Sequence, residues 1–254
     1  MITAGAGIGV DSGLPDFRGP GGFWKAYPAL AKAKLNFEEI ASPHAFRTDP
    51  ELAWGFYGHR LRLYRDTRPH EGFRILLEFA ARLPQGAFVF TSNVDGQFQK
   101  AGFPEHGVSE CHGSIHYLQC LKPCQSLIWP ADDLRPEVDE AICRLSSPLP
   151  QCPRCGSLAR PNILMFGDWD WIEQRSCVQQ KRLEAWLRNV DRLVVVELGA
   201  GVDIPSARRF GEATAAPLIR INPLAASVRR SQDIAIPMGA LDGLRRINAI
   251  LRGF

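Results

Sequence analysis

"MITAGAGIGVDSG", residues 1–13, decides the fold class. A short apolar stub runs into four glycines, Gly5, Gly7, Gly9 and Gly13. Glycines at a strand exit let backbone N–H groups approach a pyrophosphate, and a following helix N-terminus favours the anion. The spacing is not G-x-G-x-x-G, because Val10 stands at the third glycine position. Nor does an acidic residue close a second strand about 20 residues on, where a dehydrogenase grips the adenine ribose. Taken alone, the turn reads either as a phosphate cradle or as a plain tight turn.

Three more stretches repeat the pattern of an apolar run closed by turn residues: "GAFVFTSNVDG" (86–96), "LVVVELGAG" (193–201) and "PLIRINP" (217–223). The first of these closes on Ser92, Asn93, Val94 and Asp95, and polar groups at the carboxyl end of a buried strand often face a ligand crevice. Gly199 and Gly201 suit a phosphate, and Asn222 suits a ribose hydroxyl. His112, followed by Gly113, has the near-neutral pKa that suits base work on a sugar hydroxyl. By itself a lone histidine is more often structural. Residues 51–65 and 71–83 have helical spacing, as does the amphipathic segment 240–254. Short strands alternating with helices predict an α/β fold, a Rossmann-like parallel sheet with helices on both faces.

Residues 116–161 break the pattern, with five of the seven cysteines, several prolines and no strong period. Cys120-x3-Cys124 and Cys152-x2-Cys155 offer four thiolates in two close pairs, the donor set of a closed structural zinc site. Unpaired buried cysteines are the alternative. Cys143 and Cys177 have no partner at such spacing and are expected in the core. An aromatic-rich excursion covers 20–66. The expected division is therefore a Rossmann-like domain over 1–23, 67–115 and 162–254. A smaller zinc-binding and helical domain takes 24–66 and 116–161.

The 254 residues are 45% apolar and 22% charged, ordinary for a soluble globular protein. A net charge of +3 is too small to argue for nucleic acid or a membrane surface. No apolar run approaches the roughly 20 residues of a membrane-spanning helix. The first residues lack the basic-then-apolar layout of a secretion signal. A cytoplasmic protein with reduced thiols is expected.

Together these residues resemble the sirtuin family of NAD-dependent protein deacylases, in order across almost the whole chain. "GAGIGVDSGLPDFRG" (5–19) looks like the family's cofactor-loop signature, "TSNVD" (91–95) its Thr-Gln-Asn-Ile-Asp stretch, and His112-Gly113 its catalytic His-Gly. The resemblance implies NAD and one structural zinc ion as cofactors and an acylated lysine of a protein as substrate. It places Gly5, Ala6, Gly7, Asp16, Phe17 and Arg18 in the loop over the nicotinamide ribose, with Phe17 shielding C1′. It lines the nicotinamide pocket with Ser92, Asn93, Val94 and Asp95, Asp95 holding the carboxamide. Asn93 and His112 are the implied catalytic residues, His112 as general base. Gly199, Gly201 and Asn222 hold the adenosine half, and Ala240 meets adenine through its backbone. Phe166 and Gly167 fall where the acyl-lysine peptide pairs. Tyr57-x2-Arg60 resembles the pairing with which some members bind a succinyl or malonyl carboxylate; it also reads as an ordinary amphipathic pair. Mono-ADP-ribosyl transfer and NAD hydrolysis are alternatives for the same pocket. A zinc-ribbon adaptor with a degenerate pocket is a third.

The chain departs from the pattern in several places. It opens four residues before Gly5, so the usual first strand is truncated: either the start is mis-set or the strand is short. Gly9 replaces Ser, Ser92 replaces Gln, and Ala200 and Gly201 replace Thr and Ser. Each hydrogen bond lost costs about 0.5–1.5 kcal/mol, so weakened NAD binding is expected. Asp168 for Glu, with the bulky Trp169 and Trp171, predicts a divergent substrate groove.

Overall fold

The computed structural model describes residues 1–16 and 19–253. Its strands are β1 (Ile2–Ala4), β2 (Val89–Thr91), β3 (Val108–Glu110), β4 (Gly113–Cys120), β5 (Ile128–Pro130), β6 (Val138–Asp139), β7 (Arg144–Leu145), β8 (Ala159–Ile163), β9 (Val195–Leu198), β10 (Leu218–Ile221) and β11 (Ile234–Ile236). The helices are α1 (Gly19–Ala26), α2 (Pro28–Lys32), α3 (Phe37–Ile40), α4 (Pro43–Thr48), α5 (Pro50–Asp66), α6 (Glu71–Ala80), α7 (Gln97–Lys100), α8 (Gln174–Leu187), α9 (Ser206–Ala213) and α10 (Ala240–Arg252).

Six strands pair in the order β11-β10-β9-β1-β2-β3, every neighbour parallel. Chain order runs outward from β1 in both directions, so the topological switch point falls between β1 and β9. Open α/β sheets bind their ligands outside the carboxyl ends of the strands at such a point. Period-2 alternation distributes the side chains. Phe88 and Phe90 go to one face with Leu183 of α8, Val195 and Leu218. Val89 goes to the other with Ile2, Phe73 and Leu76 of α6, and Leu244 of α10. Helices on both faces, expected from the buried runs, follow from this double burial.

The smaller unit joins an antiparallel sheet, β5-β4-β8, and the hairpin β6-β7 to helices α1–α5. Trp54, Phe56 and Tyr57 of α5 share one core with Phe46, Ile115, Leu118 and Ile163, so the two inserted segments stabilise each other. The α5 helix starts where Asp49 caps it, its carboxylate accepting from Leu52 N at 3.2 Å, with Pro50 in the first turn. Gly55 is required here because a Cβ would stand 2.1 Å from the Cys143 carbonyl oxygen. β4 begins at Gly113 and β8 ends at Ile163, so the ends of this sheet reach into the flanking segments.

Several elements differ from expectation. α6 ends at Ala80, short of 83. Helices α8 and α9 and edge strands β3 and β11 had no predicted counterpart. Cys143 is buried as expected, but Cys177 is exposed on α8, because α8 turns Ser176, Gln179 and Leu183 inward instead. Among the described residues no helix is long and apolar enough to cross a membrane.

Candidate active site

Two glycine turns meet at the switch point, backbone against backbone. Gly5 N donates to Leu198 O at 3.1 Å and Gly7 N to Gly199 O at 3.0 Å. A Cβ on Gly199, which sits at φ +57, would lie 2.3 Å from the Gly7 carbonyl carbon, so only glycine allows this approach. Gly201 is different: a Cβ there meets nothing within 4 Å, leaving bare backbone beside open space. Beneath the second turn, Ala200 O accepts from Arg208 at 3.1 Å and from Asn222 Nδ2 at 3.0 Å.

The turns open into a cavity of about 380 Å³, within the roughly 300–1,000 Å³ range of small-molecule and cofactor sites. Gly5, Ala6, Gly7, Asp16, Ser92, Asn93, Val94, Asp95, Gly199 and Gly201 line it, together with His112, Tyr57, Arg60 and Phe166. Three expected residues stand elsewhere. Asn222 is 1% exposed, and its Oδ1 accepts from Leu224 N and Ala225 N, so its side chain serves the turn. Ala240 starts α10 in the core, and Gly167 forms a turn at φ +63 beside Phe166. Phe17 and Arg18 lie outside the described residues.

Asn93 and Asp95, each 8% exposed, close β2 against this cavity. Asn93 Nδ2 donates to Gly5 O at 3.1 Å, and its N–H donates to Thr91 Oγ1 at 3.0 Å. Burial pushes the Asp95 carboxyl up to about 6, while the N–H of Gln97, donating to it at 2.9 Å, pulls the other way. His112 is half-buried, with Nε2 3.0 Å from Ser206 Oγ. Burial lowers its pKa, and a hydrogen bond to the Ser92 backbone opposes that.

At the floor, α5 presents Tyr57, Arg60 and Tyr64 on one face. Arg60 donates to the Tyr64 hydroxyl from Nε at 3.0 Å and from Nη2 at 2.8 Å, and its guanidinium lies over the rings of Phe56, Tyr57 and Tyr64. Burial pushes the Tyr57 phenol up to about 12, so it remains a neutral donor at physiological pH. A buried guanidinium beside phenols suits an anionic guest.

Asp168 is an anchor. It is fully buried against Arg160, with an oxygen 2.8 Å from Nη1, tying the 164–172 loop to β8. Trp169 swings out and is 97% exposed, so it does not fill the cavity.

The four pair cysteines converge, their sulfurs all within 4.8 Å of one another. Cys120–Cys155 and Cys124–Cys152 are each 3.8 Å apart. Sulfurs about 2.3 Å from one tetrahedral ion lie roughly 3.8 Å from each other, so the donor set fits closed structural zinc.

The sequence pattern missed Tyr64 and Ser206. Tyr64 was legible at one turn beyond Arg60; nothing marked Ser206.

The Sir2 family model matches residues 5–201. The chain is 30% identical over 254 residues to an NAD-dependent protein deacylase of Aquifex aeolicus (strain VF5), covering 99% of this chain and 95% of that protein. It is 35% identical over 182 residues to the mitochondrial NAD-dependent protein deacylase sirtuin-5 of Danio rerio, covering 66% and 56%. The crystal structure of a Sir2 homolog–NAD complex superposes with a TM-score of 0.72 at 25% identity, over 100% of this chain and 89% of that one.

Proposed function

The chain belongs to the Sir2 family, and on that premise we propose that it is an NAD-dependent protein-lysine deacylase working in the crevice at the switch point of its sheet. One observation carries the assignment. A single cavity collects the paired glycine turns, the Asn93–Asp95 strand end, His112 and the Tyr57–Arg60 floor.

When bound, NAD supplies an electrophilic ribose carbon and a nicotinamide leaving group. Gly5, Ala6, Gly7, Gly199 and Gly201 line the pyrophosphate side; the N–H groups of Gly5, Gly7 and Gly199 are spent on Leu198, Gly199 and Ile221 carbonyls, so these three serve by close backbone approach. Asn93 and Asp95 orient the nicotinamide, the carboxylate accepting from its carboxamide. His112 accepts a proton from a ribose hydroxyl at Nε2. Apolar Leu14, Val94, Ile163 and Met165 keep water from the reacting carbon, which would otherwise be hydrolysed. Asp16, Phe17 and Arg18 take the part of the covering loop, and Phe166 and Gly167 meet the peptide. Cys120, Cys124, Cys152 and Cys155 hold zinc, which stiffens the small unit outside the chemistry. The large domain takes 1–23, 67–115 and 162–254, the small one 24–66 and 116–161. The setting is cytosolic, where thiols stay reduced.

The buried Arg60 favours a finer reading, preference for acidic acyl groups such as succinyl. Incubation with NAD and acyl-lysine peptides tests the whole. Peptide-dependent nicotinamide release with O-acyl-ADP-ribose is expected. Labelled protein instead indicates ADP-ribosyl transfer, and peptide-independent ADP-ribose indicates hydrolysis.

A further inference from the structure

We propose that Ser206 is a positioning residue for His112, holding the imidazole in the rotamer and tautomer that leave Nε2 basic. The inference rests on the assignment of His112 as general base.

The hydrogen bond between Ser206 Oγ and His112 Nε2, 3.0 Å long, joins residues 94 apart in sequence. The ring also bonds the Ser92 backbone, in the sense that favours its protonated form. Such a bond runs from a ring N–H to a carbonyl. A neutral imidazole carries one N–H; the proposal places it toward the Ser92 backbone, so that Nε2 accepts from Ser206 at 3.0 Å. Both ring nitrogens are thereby clamped before any ligand arrives.

The hydroxyl is not spent on its own helix. Ser206 is the first residue of α9, directly after its N-cap Pro205, and its hydroxyl meets the His112 ring instead of a backbone group of α9. The helix itself is firmly seated. Phe210 stacks on Phe90 at 3.8 Å, and Arg208 donates to the carbonyls of Ala200 and Ala225. The backbone at the base of the imidazole is fixed as well. Gly113 holds φ +76 where a Cβ would lie 2.1 Å from Asn162 O. What remains free is rotation of the ring, and Ser206 with Ser92 removes it. A base oriented by a further hydrogen-bonding group is a recurring device in proton-transfer sites. An incoming ribose hydroxyl displaces the Ser206 hydroxyl from the Nε2 lone pair; its O–H bond breaks as the Nε2–H bond forms, leaving the electron pair on the ribose oxygen and the charge on the imidazolium.

The test compares Ser206→Ala, Ser206→Thr and His112→Ala with the unaltered chain in three measurements. These are formation of O-acyl-ADP-ribose, exchange of labelled nicotinamide into NAD in the presence of acyl peptide, and ¹⁵N NMR of the His112 ring without ligand. A positioned general base is worth about 10²–10⁴, so partial misalignment in Ser206→Ala should slow product formation roughly tenfold. Exchange should hold steady, since it precedes the base, and the ring nitrogens should shift toward a tautomer mixture. Ser206→Thr, which keeps the hydroxyl, should restore both. Equal slowing of product formation and exchange overturns the inference, as does an unchanged rate or an unchanged ring spectrum. If His112→Ala itself forms product at the normal rate, the base assignment falls instead.

Discussion

Asn93 Nδ2 donates to the Gly5 carbonyl at 3.1 Å, bolting the polar end of β2 to the turn that leaves β1. The Gly5 carbonyl also accepts from Ile8 N at 3.1 Å, so what Asn93→Ala removes is one net hydrogen bond, about 0.5–1.5 kcal/mol. In a chain of this size each kcal/mol moves the melting point by about 2–4 °C. Asn93→Ala should therefore melt a few degrees lower and release little nicotinamide. Asn93→Asp should melt lower still, because a carboxylate would face the carbonyl oxygen. Calorimetry on both variants checks the order; an aspartate variant as stable as the parent removes the bond from this role.

The zinc cluster ties β4 to the 152–155 turn, and with them the two halves of the inserted module. Apparent zinc affinities at such sites reach about 10–16 kcal/mol, comparable with the whole stability of a domain. Purified protein should carry one zinc per chain by elemental analysis. Cys152→Ser, which alters a buried ligand, should lose the metal and melt early, and added zinc should not rescue it. A metal-free preparation with the parental melting curve would contradict the proposed staple.

Arg60 offers a charge that an acidic acyl group can meet and an acetyl group cannot. Hydrogen bonds to charged groups are worth about 1.5–3 kcal/mol. Arg60→Met should therefore lower kcat/KM for succinyl-lysine peptide by roughly ten- to a hundredfold while acetyl-lysine turnover changes little. An unchanged ratio between the two peptides ends the acidic-acyl proposal.

What was legible follows from how local the constraint is. Gly5 and Gly199 stood out as strand-exit glycines suited to a phosphate; the backbone-to-backbone approach they also allow, which no Cβ would permit, is visible only in the fold. The cysteine pairs stood out because metal spacing is local, and β1, β2, β9 and β10 because strands buried on both faces must be uniformly apolar. Edge strands β3 and β11 carry weaker signals, "VSE" and a largely exposed "IAI". The polar α8 is fixed by what it packs against rather than by its own periodicity, whereas α9 is amphipathic but only eight residues long. Asn222 reads as a ligand residue in sequence, yet its turn consumes it. The bond from Ser206 to His112 spans 94 positions and leaves no trace in either neighbourhood.

Arg160 and Asp168 form a bidentate pair with both side chains fully buried. Removing one partner strands the other charge in the interior, a loss of about 3–5 kcal/mol. Asp168→Ala should thus melt far lower than Trp169→Ala, whose ring lies in solvent. The loop carrying Met165 and Phe166 would lose its anchor too, so KM for peptide should rise in Asp168→Ala. Equal melting points for the two variants would show that the ion pair contributes nothing.

Asp95 gives the site a pH signature whose sign can be fixed in advance. Its carboxyl titrates near 3.8 when exposed and at about 6 in the fold, because burial penalises the charge. Between those values the folded protein binds a proton that the unfolded chain does not, so this group adds stability as pH falls from 6 toward 3.8. Above pH 6 the buried charge is a standing cost, about 3 kcal/mol for a shift of this size. Asp95→Asn keeps an oxygen for the Gln97 N–H and discards the charge. It should unfold at higher urea than the parent at pH 8, with the advantage shrinking toward pH 4. It should also bind NAD poorly, since the acceptor for the carboxamide is weakened. A variant that is less stable than the parent at pH 8 would mean the carboxylate is satisfied in place, and its assignment as a strained, ligand-directed group would fail.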